Sequence, residues 1–297
     1  MESFKKEEDI MIKAINFWSF PGGLDGTKDV KQAIKEAKML GYEGIELSFG
    51  DTGTLSPSTT AKEIADILKT AKEEKIKISS LCAGFYWGYN FASSKVEDRK
   101  KAIEMTRKYI DTAEALGVDR ILVIPGAVDV FFNPAAEVIS YEDVNSRCIA
   151  ALEQLVPYAE KKKVAMGIEN VWNRFLSMSV LEMKDFVDHF DSKYLGVYFD
   201  VGNVIPFGYA EQWIRILGKR IKAVHFKDFK REAGNGGMVG FVDLLSGDVN
   251  WPEVVKALKE IGYTGPVTAE MIPYYRFFPE VRLKVTSIAM DSILERK

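Results

Sequence analysis

The chain has 297 residues, 47% of them apolar and 28% charged, with a formal net charge of -3. That is the balance of a water-soluble globular protein, without the concentrated basic excess of a nucleic-acid-binding one. Its two cysteines, Cys82 and Cys148, are far apart and form no CxxC pattern, which argues against a disulfide framework or a cysteine zinc site and for a reducing, cytoplasmic setting.

Residues 1–10 include Lys5, Lys6, Glu7, Glu8 and Asp9 and lack the apolar segment of a signal peptide. They read as a loose, disordered extension ahead of one domain spanning 11–297. No apolar run is long enough to cross a bilayer. From there short apolar runs alternate with longer amphipathic segments. The runs are Ile12–Phe17, Gly44–Phe49, Ile76–Cys82, Arg120–Ile124, Val164–Glu169, Leu195–Asp200, Ile221–Phe226 and Pro266–Glu270. They are nearly continuous rather than alternating, as parallel strands covered on both faces are. Helical spacing lies between them: Val30, Ala33, Ile34 and Ala37 share one face, and so do Val254, Val255, Leu258 and Ile261. Leu40-Gly41, Leu116-Gly117, Leu217-Gly218 and Ile261-Gly262 each read as a helix stop before a strand. Eight strand–helix units in a chain of this length predict a single (β/α)8 TIM barrel, a fold that commonly takes about 250 residues. No GxGxxG follows the first run, so the commonest signature of an open doubly wound sheet is missing.

Active sites of such barrels sit at the C-terminal ends of the strands. The last four runs end in Glu169, in Asp200, around His225 and in Glu270. Three carboxylates brought that close repel one another unless a cation lies between them. Three oxygen ligands and one imidazole suit one divalent ion per chain, Mn²⁺ first, with Co²⁺, Mg²⁺ or Zn²⁺ as alternatives. Glu46 ends the second run and either hydrogen-bonds a substrate or braces the rim. Trp18, Phe85, Tyr86, Trp87 and Trp172 follow strand ends, where rings either stack on sugar faces or plug the barrel mouth. The loop Gly234 to Gly237 and Arg276 are weaker candidates for holding a phosphate, and His189, beside Asp188 and Asp191, reads as a surface residue.

The segments Ile168-Glu169-Asn170, Phe199-Asp200-Val201-Gly202-Asn203 and His225-Phe226-Lys227-Asp228, with the final Glu270, resemble the xylose-isomerase-like barrel superfamily of sugar phosphate isomerases and epimerases. The ordered set is similar to the metal site of ketose 3-epimerases of the tagatose and psicose type. That resemblance implies that Glu169 and Glu270 are acid/base groups as well as ligands, while Asp200 and His225 hold the metal. It also implies that Arg231, six residues after His225, contacts the O1 and O2 end of a small sugar or polyol. Asn203, Lys227, Glu46, Trp18 and Trp172 are the further candidates for binding substrate. Family members often form dimers or tetramers. The chain departs from those epimerases at Asn203, where they carry histidine, and in 170–176, where they carry a second glutamate. Sugar-phosphate epimerases, hydroxypyruvate isomerases and dehydratases of inosose or dehydroshikimate share the scaffold, and a non-catalytic sugar-binding barrel is the further alternative. The trinuclear zinc endonucleases of this fold need many histidines, and this chain has two, His189 and His225.

Overall fold

The computed structural model describes residues 11–53, 55–130, 132–177, 179–231 and 240–296. The extension 1–10 and the glycines of 234–237 lie outside the described residues. Eight parallel strands close into a barrel: β1 (Ile12–Asn16), β2 (Gly44–Phe49), β3 (Lys77–Ala83), β4 (Arg120–Val123), β5 (Ala165–Glu169), β6 (Leu195–Asp200), β7 (Ile221–Phe226) and, as the last barrel strand, β10 (Pro266–Ala269). Each neighbours its sequence neighbour, and β1 closes the ring by pairing with β10 from Ile12↔Pro266 to Ile15↔Ala269. Every one of the eight predicted runs is a strand, three with the same bounds and five with one or both ends shifted by one residue. The first run stops at Asn16 because the Asn16 side chain accepts the Trp18 N–H and starts a 3-10 turn at Phe17.

The strands are buried on both faces, all six residues of β6 among them, which is why they lack a polar-out alternation. Helices cover the outside with their apolar stripes inward. Val30, Ala33, Ile34 and Ala37 are the buried residues of α1 (Val30–Met39). The starts of the helices are written in side chains: Asp29 caps α1, and Thr60 with Glu63 forms a reciprocal capping box on α2 (Ala61–Glu73). Gly41 and Gly262 end α1 and α8 (Trp251–Glu260) at φ +86° and +69°, a conformation that costs glycine nothing. The C-terminal helix α9 (Pro279–Ile293) is tied to the bottom of the barrel by buried Lys13, whose ammonium lies 2.6 Å from Asp291 and 3.1 Å from Ser287 Oγ. No helix among the described residues is long and apolar enough to cross a membrane.

One element was not foreseen in the sequence. Directly after β7, β8 (Asp228–Phe229) pairs antiparallel with β9 (Phe241–Val242) and folds a small hairpin over the catalytic end. Asp228 anchors it: its carboxylate accepts the N–H groups of Phe229, Leu245 and Val249 and the indole N–H of Trp251, at 2.9 to 3.2 Å.

Candidate active site

Register sets the site. Asp200 and His225 are paired residues of β6 and β7, while Glu169 pairs with Tyr198 on the other side of β6. Glu270 directly follows β10, and its N–H donates to Phe226 O across the β7 edge. One ligand atom from each of Glu169, Asp200, His225 and Glu270 lies within 4.8 Å of the others, and all four residues are buried. Asp200 is held from both sides. Asn170 donates to its carbonyl and accepts its N–H, at 2.9 and 2.7 Å, and its Oδ1 accepts the Asn203 N–H as the cap of the four-residue helix α6 (Val201–Val204).

Beneath these four lies a second carboxylate. Glu46 is fully buried and accepts from His225 Nε2 at 2.7 Å, Asn16 Nδ2 at 2.5 Å, Ser80 Oγ at 3.0 Å and the Tyr198 hydroxyl. It does not line the cavity above. Of the two roles open to it in the sequence, its geometry serves the bracing one and not substrate contact. A carboxylate on one imidazole nitrogen fixes the ring and turns the other nitrogen, Nδ1, toward Asp200 and Glu270. Nδ1 lies 3.9 Å from Asp200 Oδ2 and 3.5 Å from Glu270 Oε2, and none of these three buried atoms has a well-directed hydrogen bond. Lys227 stands beside them, its ammonium paired with Asp200 Oδ2 at 3.2 Å and with Glu270.

Three convergent atoms that are buried and lack directed hydrogen bonds, on a donor set of three carboxylates and an imidazole, fit a divalent cation. Without an ion, burial and crowding shift the proton affinities of the set. Burial, reinforced by Glu270, raises Glu169 to about 8. Burial also raises Asp200, against the pull of Lys227. Burial opposes the charge on His225, but Glu46 and Glu270 outweigh it and raise its pKa to about 9. Burial would raise Glu46 too, yet the His225 charge and the hydrogen bonds from His225, Tyr198 and Asn16 hold it below its usual value.

Between about 4.5 and about 8 the folded, metal-free chain keeps a proton on Glu169 that the unfolded chain releases, so stability falls as pH rises through that window. His225 contributes stability that is complete below its unfolded pKa of 6.5 and lost as pH rises through about 9. The chelator-treated protein is therefore expected to melt at a lower temperature at about pH 9 than at about pH 5.5, and loading with Mn²⁺ is expected to flatten that slope. Melting curves across the range check both.

Above the four residues opens a cavity of about 720 Å³. Glu169, Asn203, Lys227 and Glu270 form its polar floor, and Trp18, Phe85, Trp87, Trp172 and Phe241 line its walls. Trp172 stacks on Phe241 of the hairpin at 4.8 Å, and Trp18 is fixed by its indole N–H to Ser48 Oγ at 2.8 Å. Asn203 Nδ2 is buried without a partner at this wall. Tyr86 differs: it is fully buried, bonds Thr106, and packs the core instead of lining the cavity.

Arg231 is a correction. It does not line the cavity, and its guanidinium donates to the carbonyls of Ile205 and Gly208, both at 2.9 Å. The reason is the hairpin. Asp248 holds the Arg231 N–H at 2.7 Å, and the side chain leaves β8 toward the loop after β6. Arg276 is exposed, stacks on Phe277 and stands away from the cavity, and His189 lies on the surface 3.8 Å from Glu153. Sequence reasoning assigned no role to Asn170, Tyr198, Asn16 or Ser80. Tyr198 carried a signal, two residues before Asp200 and so on the same face of β6.

Replacing Glu46 with glutamine keeps the shape and removes the charge that orients His225. Affinity for Mn²⁺ is expected to fall by about 10- to 100-fold, read by calorimetry.

A closed parallel barrel with this acidic rim defines a family. The model of the xylose isomerase-like TIM barrel matches residues 34–289, and the chain belongs to that family. An uncharacterized protein of Methanocaldococcus jannaschii is 30% identical over 187 residues, which is 61% of this chain and 60% of that protein, so the matched stretch spans less than two thirds of that relative. L-Ribulose-5-phosphate 3-epimerase UlaE of Escherichia coli O8 (strain IAI1) is 26% identical over 243 residues, 81% of each chain. Among solved structures, D-psicose 3-epimerase with D-tagatose from Clostridium cellulolyticum H10 has the same fold, with a TM-score of 0.74 at 18% identity over 95% of this chain and 98% of that one. Sugar 3-epimerases are thus among the chain's relatives and structural neighbours.

Proposed function

We propose that the protein is a divalent-metal-dependent 3-epimerase of a small ketose or ketose phosphate, with Mn²⁺ as the ion best suited to the site. The observation that carries this reading is the meeting of Glu169 and Glu270 beside Asp200 and His225 at one cavity floor. When bound there, the ion supplies stabilisation for the negative charge that builds on a carbonyl oxygen as the neighbouring carbon loses its proton.

The remaining work falls to the chain itself. Glu169 and Glu270 enter from β5 and β10, with β6 and β7 between them, and so approach a bound carbon from different sides. One carboxylate removes the proton at C3 to give a cis-enediolate, and the other returns a proton to the opposite face. Opposite protonation states are needed at the start. Glu169 and Glu270 divide these two roles, and a bound cation would shift the proton affinity of each. The Asn203 amide has a free donor for a substrate hydroxyl, and Trp18 and Trp172 offer ring faces to the sugar carbons. Both cysteines are free and buried, which suits a cytosolic setting.

The test is product analysis by NMR after incubation with Mn²⁺ and L-ribulose 5-phosphate, D-psicose or D-tagatose. Inversion at C3 of one of them is expected. Formation of an aldose would reassign the site to aldose–ketose isomerisation, and loss of water to the dehydratases.

A further inference from the structure

Lys227 has a position that substrate binding alone does not explain. It follows β7 by one residue, in the turn held by the Asp228 anchor, and its side chain runs back over the floor of the cavity. Its ammonium does not extend toward the open cavity. It pairs with Asp200 Oδ2 at 3.2 Å and with Glu270 Oε2, and it lies 5.2 Å from the centre of the Phe241 ring, which covers it. Those two oxygens are the ones that also face His225 Nδ1 and lack a directed hydrogen bond. The lysine therefore spends its charge on the same atoms that a divalent cation would take.

We infer that Lys227 is an internal counter-ion that stands in for the metal: its ammonium neutralises Asp200 and Glu270 in the metal-free chain, and the incoming cation displaces it into the cavity. Two like charges cannot share oxygens this close without strong repulsion. The lysine side chain is long and flexible, is 15% exposed and borders the cavity, so its head group can swing there without backbone movement. Once displaced, the ammonium faces the place of the substrate, where it meets a ketone or phosphate oxygen. The arrangement lets the acidic floor fold before metal arrives, and it sets metal affinity below what the four ligands alone would give.

This inference rests on the metal-site reading of the four residues, and one experiment separates the two. Mn²⁺ binding to the wild type, Lys227→Met and Lys227→Gln is measured by calorimetry, together with the melting temperature of each chain after chelation. Loss of the competing charge is expected to tighten Mn²⁺ binding by about tenfold or more in both variants. It is also expected to lower the melting temperature of the chelated chain by about 5 °C. A lysine that only binds substrate would move neither quantity, and one that buttresses the ligands would weaken Mn²⁺ binding. Unchanged or weaker binding in variants of a wild type that does bind overturns the counter-ion role and leaves the metal site standing. No binding by any of the three chains overturns both.

Discussion

Replacing Glu270 with glutamine is expected to reduce turnover by roughly 10³-fold while the fold stays intact, and Glu169→Gln is expected to do the same. Glutamine keeps the shape of each side chain and removes its ability to exchange a proton. The two substitutions should differ in detail. Glu270 shares its carboxylate with Lys227 and faces His225 Nδ1 at 3.5 Å, so its loss also removes a charge from the centre of the ligand set. Glu169 makes no ion pair with Lys227 and is raised to about 8 chiefly by burial, so its neutral isostere is closer to its state near neutral pH. The expected pattern is weaker Mn²⁺ binding in Glu270→Gln than in Glu169→Gln, with turnover lost in both. Steady-state kinetics under saturating Mn²⁺, beside calorimetry, separates the two effects.

Replacing His225 with alanine is expected to damage the fold as well as the site. The imidazole is fully buried and bonds the fully buried Glu46 carboxylate at 2.7 Å. Its removal leaves Glu46 among Asn16, Ser80 and Tyr198 without a cation, and breaking such a buried pair costs about 3–5 kcal/mol. The double substitution His225→Ala/Glu46→Gln removes the stranded charge and should recover part of that loss. Denaturant melts of the single and double variants without metal measure the coupling. Recovery of stability without recovery of Mn²⁺ binding would separate the structural role of the pair from the ligand role of the imidazole.

The barrel was legible because its signals are local and repeated. Buried parallel strands write themselves as continuous apolar runs, and the Leu-Gly and Ile-Gly stops mark where helices such as α1 and α8 end. Glu169, Asp200, His225 and Glu270 could be picked out as one set because each lies within one residue of the C-terminal end of its strand, and strand order in a barrel follows chain order. What the sequence did not show depends on contacts between distant strands. Glu46 meets His225 across 179 residues of chain, and Tyr198 meets Glu46 across 152, so nothing local distinguishes a bracing glutamate from one that faces substrate. Arg231 misled for the opposite reason. Its spacing from His225 matches the ketose 3-epimerases, but its guanidinium donates to the carbonyls of Ile205 and Gly208. Spacing fixes a side chain's direction only when the backbone between the two residues keeps the same path.

The most direct test of the central claim is proton exchange in D₂O with a substrate ketose while Mn²⁺ is titrated into chelated protein. Deuterium is expected to enter at one carbon beside the carbonyl, at a rate that rises with bound metal and levels off at about one ion per chain. Exchange that proceeds at full rate without metal, or metal bound at Glu169, Asp200, His225 and Glu270 with no exchange on any ketose or ketose phosphate, would contradict the claim.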